Sequence, residues 1–197
     1  MDSSQRIIGP HGGYRKLRSF QTAQMIYDAT VIFCERFIER TSRTRDQMIQ
    51  AARSGVQNIA EGSMASATSK KTELKLTGVA RASLEELLLD YEDFLRQRGL
   101  RLWAKESPEA MAVRNLYRSD QSDRSDGSDP YCIRTAGAET AGNTLICLIN
   151  QGSFLLGRQI RKLEASFVNE GGFTERLYQA RMKSRRSRRS DVSDIER

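Results

Sequence analysis

Residues 48–62, MIQAARSGVQNIAEG, place Met48, Ala52, Gly55, Ile59 and Gly62 at intervals of three or four, which is one face of a helix. Most of that face is too small to hold a neighbour at a distance, so a second backbone is expected to approach closely. Residues 78–95, GVARASLEELLLDYEDFL, supply a fitting partner. Val79, Ala80, Ser83, Leu84, Leu87, Leu88, Tyr91, Phe94 and Leu95 form a stripe that grows from small to bulky along its length. Such complementary faces predict an antiparallel helix pair, and they carry no set of groups for chemistry.

Helical periodicity extends along the chain. A first helix is expected from about Tyr14 to Glu39, with Phe20, Gln24, Tyr27, Val31, Cys34 and Ile38 as its seam and Met25, Ile26, Phe33 and Phe37 widening it. The second spans about 44–61, with Thr44 and Gln47 spaced as a capping box and Gly62 as its stop. The third spans about 69–97, with Ser69 as N-cap and Gly99 as stop. A short helix over 108–118 begins at Pro108, where proline suits a first turn. The fourth long helix covers about 139–169, with Leu145, Leu148, Ile149, Leu155, Leu156, Ile160, Leu163 and Phe167 facing inward. Gly171-Gly172 breaks it before a last short helix over 174–183, with Thr174 as its cap. Alternating strand patterns closed by Asn-Gly turns are missing. The expectation is an all-α fold: one domain over 14–183, an antiparallel up-and-down four-helix bundle with an extra short helix. The Ser/Asp/Arg-rich segment 118–130 reads as a mobile loop, and 184–197 as a disordered basic tail.

With 38% hydrophobic and 29% charged residues in 197, the chain has the balance of a soluble helical protein large enough to bury a core without disulfides. Cys34, Cys132 and Cys147 are odd in number and widely spaced. Cys34 and Cys147 fall on apolar faces, where a free thiol acts as a small hydrophobe. The opening MDSSQRIIGPHGGYRKLRSF has no signal-peptide core, and Asn150 and Gln151 interrupt the most apolar helix. A cytoplasmic protein is expected, with no membrane association.

The formal net charge of +7 is unevenly spread. Arg181, Lys183, Arg185, Arg186, Arg188 and Arg189 lie within nine residues; without them 26 basic groups face 25 acidic ones. Cations on a flexible segment attract phosphates without reading sequence, so this tail is the leading nucleic-acid candidate. A solubilising terminus is the plain alternative. Arg36, Arg40 and Arg43 form a second candidate stripe at the end of the first helix, with Glu35 and Glu39 interleaved. A salt-bridged, solvated helix end explains that stripe equally well. Ser54, Asn58 and Glu61 line a polar stripe beside the small face around Gly55. It reads either as a ligand contact or as a hydrogen-bonded helix or subunit contact, and the structural reading is preferred.

Catalytic constellations are not found. His11 is the only histidine, which removes histidine triads and Glu-x-x-His metal pairs. Glu85-Glu86 and Glu92-Asp93 are adjacent acids that diverge on a helix, and Arg81–Glu85 and Glu92–Arg96 are spaced for local pairing. Gly12-Gly13 is followed by no Lys-Ser or Lys-Thr. No enzyme, no cofactor and no metal are expected.

Several runs together resemble a known family. They are Tyr14, Leu17 and Phe20; Ile26-Tyr27 with Thr30 and Phe33; Gln50-Ala51-Ala52-Arg53-Ser54; Asn58-Ile59-Ala60-Glu61-Gly62; and Ala80, Ala82-Ser83-Leu84 and Glu86-Leu87. Over residues 14–97 the chain resembles the bacterial four-helix-bundle proteins of ribosomal-RNA intervening sequences. These are related to the accessory variability determinant of diversity-generating retroelements. The chain looks like a longer variant, with about 40 residues between the third and fourth long helices and a C-terminal suffix. The resemblance implies a ring-shaped homopentamer and, through the retroelement relative, nucleic-acid binding beside a reverse transcriptase. It supplies no catalytic residues. The apolar stripes on the first and third helices are wider than one bundle seam requires, which also points to a homo-oligomer. The expected function is a non-enzymatic, oligomeric accessory protein that associates with RNA or DNA. The alternative is a protein–protein scaffold with no direct nucleic-acid role.

Overall fold

The computed structural model describes residues 12–119, 129, 131–175, 177–183 and 185. A 3-10 turn over Tyr14–Lys16 precedes α1 (Arg18–Phe37), α2 (Arg43–Ala65), α3 (Lys70–Gln97), α4 (Pro108–Ser119) and α5 (Ala138–Glu170). Residues 173–175 and 177–183 are also helical, and no strand occurs among the described residues. The protein is all-α. Among the described residues no helix is long and apolar enough to cross a membrane.

The four long helices touch in a closed cycle: α1 packs on α2, α2 on α3, α3 on α5, and α5 on α1. Close contacts give the directions. A Cβ placed on Gly55 would lie 3.1 Å from Leu84 Cδ2, and one on Gly62 would lie 3.3 Å from the Glu73 carbonyl. Rising numbers on α2 therefore meet falling numbers on α3. In the same way Gly142 meets Leu95 and Phe33, whereas Gly152 meets Leu84 and Ile26, so α5 runs opposite to both α1 and α3. The glycines let large side chains of the facing helices reach the backbone, which explains why Leu84 is fully buried between two of them.

Local chemistry explains three helix ends, and several expectations need correction. Ser69 caps α3, its hydroxyl accepting from the Thr72 amide at 3.1 Å. At the other end Gly99 has φ 63°. The Leu100 and Gly99 amides donate to the Leu95 and Arg96 carbonyls, closing a Schellman motif. Gly171, with φ 69°, ends α5. Helix 1, however, does not start at Tyr14: Leu17 is extended, at φ −75° and ψ 124°, and separates the 3-10 turn from α1. Nor does Gly62 end α2, which runs on to Ala65; this glycine serves close approach to α3 instead. The expected Thr44/Gln47 capping box is absent because α2 starts one residue earlier, at Arg43, with Ser42 as N-cap and no side-chain cap bond.

The buried face of α1 is also rotated from the expected seam. It comprises Ser19, Thr22, Ala23, Ile26, Ala29, Thr30, Phe33 and Cys34, while Phe20, Tyr27, Val31 and Ile38 are only half-buried. Polar residues sit inside because each has a distant partner. Ser19 donates to Gln159 at 2.7 Å, Thr22 shares a 2.7 Å bond with the Tyr117 hydroxyl, and Thr30 accepts from Tyr91 at 3.1 Å. In α3, Val79 is exposed rather than part of the stripe. The inner face expected for α5 fails towards its end, where Phe167 is 40% exposed. Arg96 pairs with Asp93 at 2.6 Å rather than with Glu92.

The chain between α3 and α5 is tied at both extremities. Asn143, buried on α5, accepts from the Trp103 amide at 2.7 Å and donates to the Arg101 and Glu139 carbonyls at 2.8 and 2.9 Å. Helix α4 packs on α5, and its Tyr117 reaches α1. Asp129 then accepts from the Ile133 and Arg134 amides, and Tyr131 and Ile133 join the core. Of the expected loop at 118–130, only Arg118, Ser119 and Asp129 lie within the described residues. The expected tail at 184–197 lies outside them except for Arg185, which is helical.

Candidate nucleic-acid interface

The arginines expected as a stripe at the end of the first helix do not form a single helical ladder. Ile38 is extended, so α1 stops at Phe37, Arg40 lies in the turn, and Arg43 opens α2. The spacing that would align the three on one helix therefore does not apply. Arg36 is committed elsewhere: Nη1 donates to the Ile133 carbonyl at 2.5 Å and the Ala136 carbonyl at 2.8 Å, and the guanidinium lies 4.5 Å from the Phe37 ring centre. This cation holds the segment before α5 against the end of α1. Arg40 and Arg43 are exposed.

At the polar stripe of α2, Ser54 Oγ and Ser83 Oγ are 3.0 Å apart across the α2–α3 contact. Asn58 Nδ2 donates to the Ser54 carbonyl at 2.9 Å and to its hydroxyl at 3.1 Å. Glu61 is exposed and stands apart from this network, and Gly55 lies buried beside it against Leu84. A shallow groove between α2 and α3 runs over Ser54 and Ser83, bordered by Arg43, Asp46, Gln47 and Glu86. Asp90, further along α3, has its carboxyl pushed up by burial and by the neighbouring Glu86 and Asp93 carboxylates.

Of the six tail cations, Arg181, Lys183 and Arg185 are exposed on a helical segment beyond α5; Arg186, Arg188 and Arg189 lie outside the described residues. Further exposed cations, on the helical body itself, were not singled out from sequence. The end of α5 meets the starts of α1 and α3, as the Ser19–Gln159 bond and the contact of Lys70 Nζ with Ser166 Oγ show. Exposed Arg15, Lys16 and Arg18, Lys71 and Lys75, and Arg158, Arg161 and Lys162 therefore gather at one end of the molecule, with exposed Glu61, Glu164 and Glu175. Counting charge along the chain hid this, because these cations come from the separate segments 15–18, 71–75 and 158–162, which only the fold brings together. The antiparallel pairing of α5 with α1 and α3 was the signal available.

A second groove, between α3 and α5, is lined by Arg81, Glu85, Asn150, Ser153, Phe154, Gly157 and Arg161. None of these was singled out as a site from sequence. Among the described residues no group of three or more His, Cys, Asp or Glu is placed to hold a metal ion. Burial pushes the Cys34 thiol up to about 12 and raises that of Cys147, so both are held neutral, while Cys132 is exposed at φ 54°. Compared with protein-family models, with curated proteins and with solved structures, the chain matches none.

Proposed function

We propose that this chain is a non-enzymatic, homo-oligomeric, nucleic-acid-associated protein of the cytoplasm, an accessory to a larger enzyme that handles RNA or DNA. On this reading its four long helices form an antiparallel up-and-down bundle of the ribosomal-RNA intervening-sequence type, assembled as a pentamer. The observation that carries the functional reading is the gathering of exposed cations at the end where α5 finishes, after which the chain adds exposed Arg181, Lys183 and Arg185. Cations held on several helices and extended by a basic tail attract phosphates without base contacts.

The test is a fluorescence-anisotropy salt titration on unrelated sequences, comparing the full chain with a truncation after Ala180. Six tail contacts give a logarithmic salt slope of about −4 to −5. Truncation is expected to remove most of that slope and to leave the far-ultraviolet helical signal of the body in place. An unchanged slope moves the interface to the cations of α1, α3 and α5. No salt-dependent binding by either form rejects the reading. Light scattering tests the oligomer, and a mass near 22.3 kDa across a dilution series rejects it.

A protein–protein scaffold is the second reading. Phe167, Val168, Leu177 and Tyr178 are 40%, 80%, 42% and 64% exposed on and beyond the end of α5. Apolar groups that the chain leaves uncovered are the raw material of protein contacts.

A further inference from the structure

We propose that the α3–α5 groove is a binding site for single-stranded nucleic acid, in which a base stacks on Phe154 while Arg81 and Arg161 hold the flanking phosphates. The inference rests on the nucleic-acid reading above and gives it a place and a strand class. Phe154 lines the groove and is 55% exposed, so its ring is open to a planar partner. Arg81 reaches the groove from α3 and Arg161 from α5. A Cβ on Gly157 would lie 3.8 Å from Arg161 Nη1, so the guanidinium lies back along the helix beside the groove. Arg158 and Arg161 stand one and two turns beyond Phe154, about 6 and 10 Å along the axis.

Charge selects the occupant. The groove lining sets the two cations Arg81 and Arg161 against the single carboxylate Glu85, and exposed Arg158 follows Phe154 by one helical turn. A second copy of the chain would have to bury Arg81, Glu85 and Arg161 at the centre of a contact, where interfaces are depleted in charge. A nucleic-acid strand instead brings phosphates to the cations. An exposed aromatic ring takes a base only when that base is free of a duplex, so the strand is single.

The test uses the full chain with a fluorescein-labelled 12-nucleotide thymidine strand and a duplex of equal length. Phe154→Ala is expected to weaken single-strand binding about tenfold and duplex binding less than about twofold, with the salt slope unchanged because no charge is lost. Phe154→Trp is expected to retain single-strand affinity. Arg81→Gln with Arg161→Gln is expected to flatten the single-strand slope by about 0.7 per lost contact. Wild-type single-strand affinity in Phe154→Ala overturns the site and leaves the tail-based reading standing. A fall in light-scattering mass for Phe154→Ala overturns it in favour of a contact between copies. Binding of neither probe by the full chain overturns the site and the nucleic-acid reading together.

Discussion

The two ends of the helical body use the same residue types for opposite purposes. Where α1 and α3 finish, Phe33 packs edge to face on Tyr91 and Phe94, with ring centres 4.9 and 4.8 Å away. Three arginines there are occupied, although Arg40 and Arg43 stay exposed. Arg36 closes two carbonyls, Arg98 lies 3.9 Å from the Phe94 ring centre and donates to the Phe37 carbonyl, and Arg101 pairs with Glu109 and Glu139. Where α1 and α3 start and α5 finishes, cations and apolar side chains face solvent instead. A guanidinium that already satisfies carbonyl groups has few donors left for a phosphate. On the proposed reading, the aromatic end holds the fold together and the basic end is the one that meets partners.

Phenylalanine truncation is the most forceful way to break this contrast. Phe33 is fully buried, so Phe33→Ala should cost about 3–5 kcal/mol through lost transfer energy and an unfilled cavity. Phe167→Ala, at a site 40% exposed, should cost less than about 1 kcal/mol. Urea denaturation measures both, and equal losses would show that the end of α5 is buried in solution, for example by another copy. A smaller effect comes from the helix contact between the ends. Gly55→Leu places a side chain where even a Cβ would be 3.1 Å from Leu84, and overpacking of this kind costs about 1–3 kcal/mol. Leucine's better helix propensity offsets up to about 1 kcal/mol of that. A thermal midpoint equal to wild type would mean that α2 and α3 separate easily.

What was legible in the sequence was local or set by small residues. Ser69 announced its cap, Gly99 and Gly171 their helix ends, and Gly55 its tight contact, because each depends on neighbours a few positions away or on a missing side chain. The all-α class followed from periodicity alone. The inward face of α1 was not legible, since a hydrophobic count penalises Ser19, Thr22 and Thr30. Their burial depends on Gln159, Tyr117 and Tyr91, which are remote in the chain. The role of Arg36 was hidden for the same reason: its acceptors lie 97 and 100 residues away. Of the candidate site, the stripe 36/40/43 spans the turn between α1 and α2, where helical spacing does not set neighbours, and the basic end became visible only once α5 was laid against α1 and α3.

The smallest predicted effects sharpen the contrast most, because they separate two arginines by role. Arg36→Gln removes a charged donor from two carbonyls at a position that is itself solvent-exposed, so its cost should be about 1 kcal/mol, below the range for a buried charged bond. The loss should be local, with faster amide hydrogen exchange across residues 131–136. Nucleic-acid affinity and its salt slope should stay at wild type, since this guanidinium is turned to the protein. Arg158→Gln should do the reverse. An exposed cation at the basic end contributes within about 0.5 kcal/mol to stability, yet its loss should flatten the salt slope by about 0.7 on a single strand. Hydrogen exchange and a salt titration on the two variants decide the matter. If Arg36→Gln flattens the slope while Arg158→Gln leaves it unchanged, phosphates bind at the aromatic end and the assignment of the two ends is reversed.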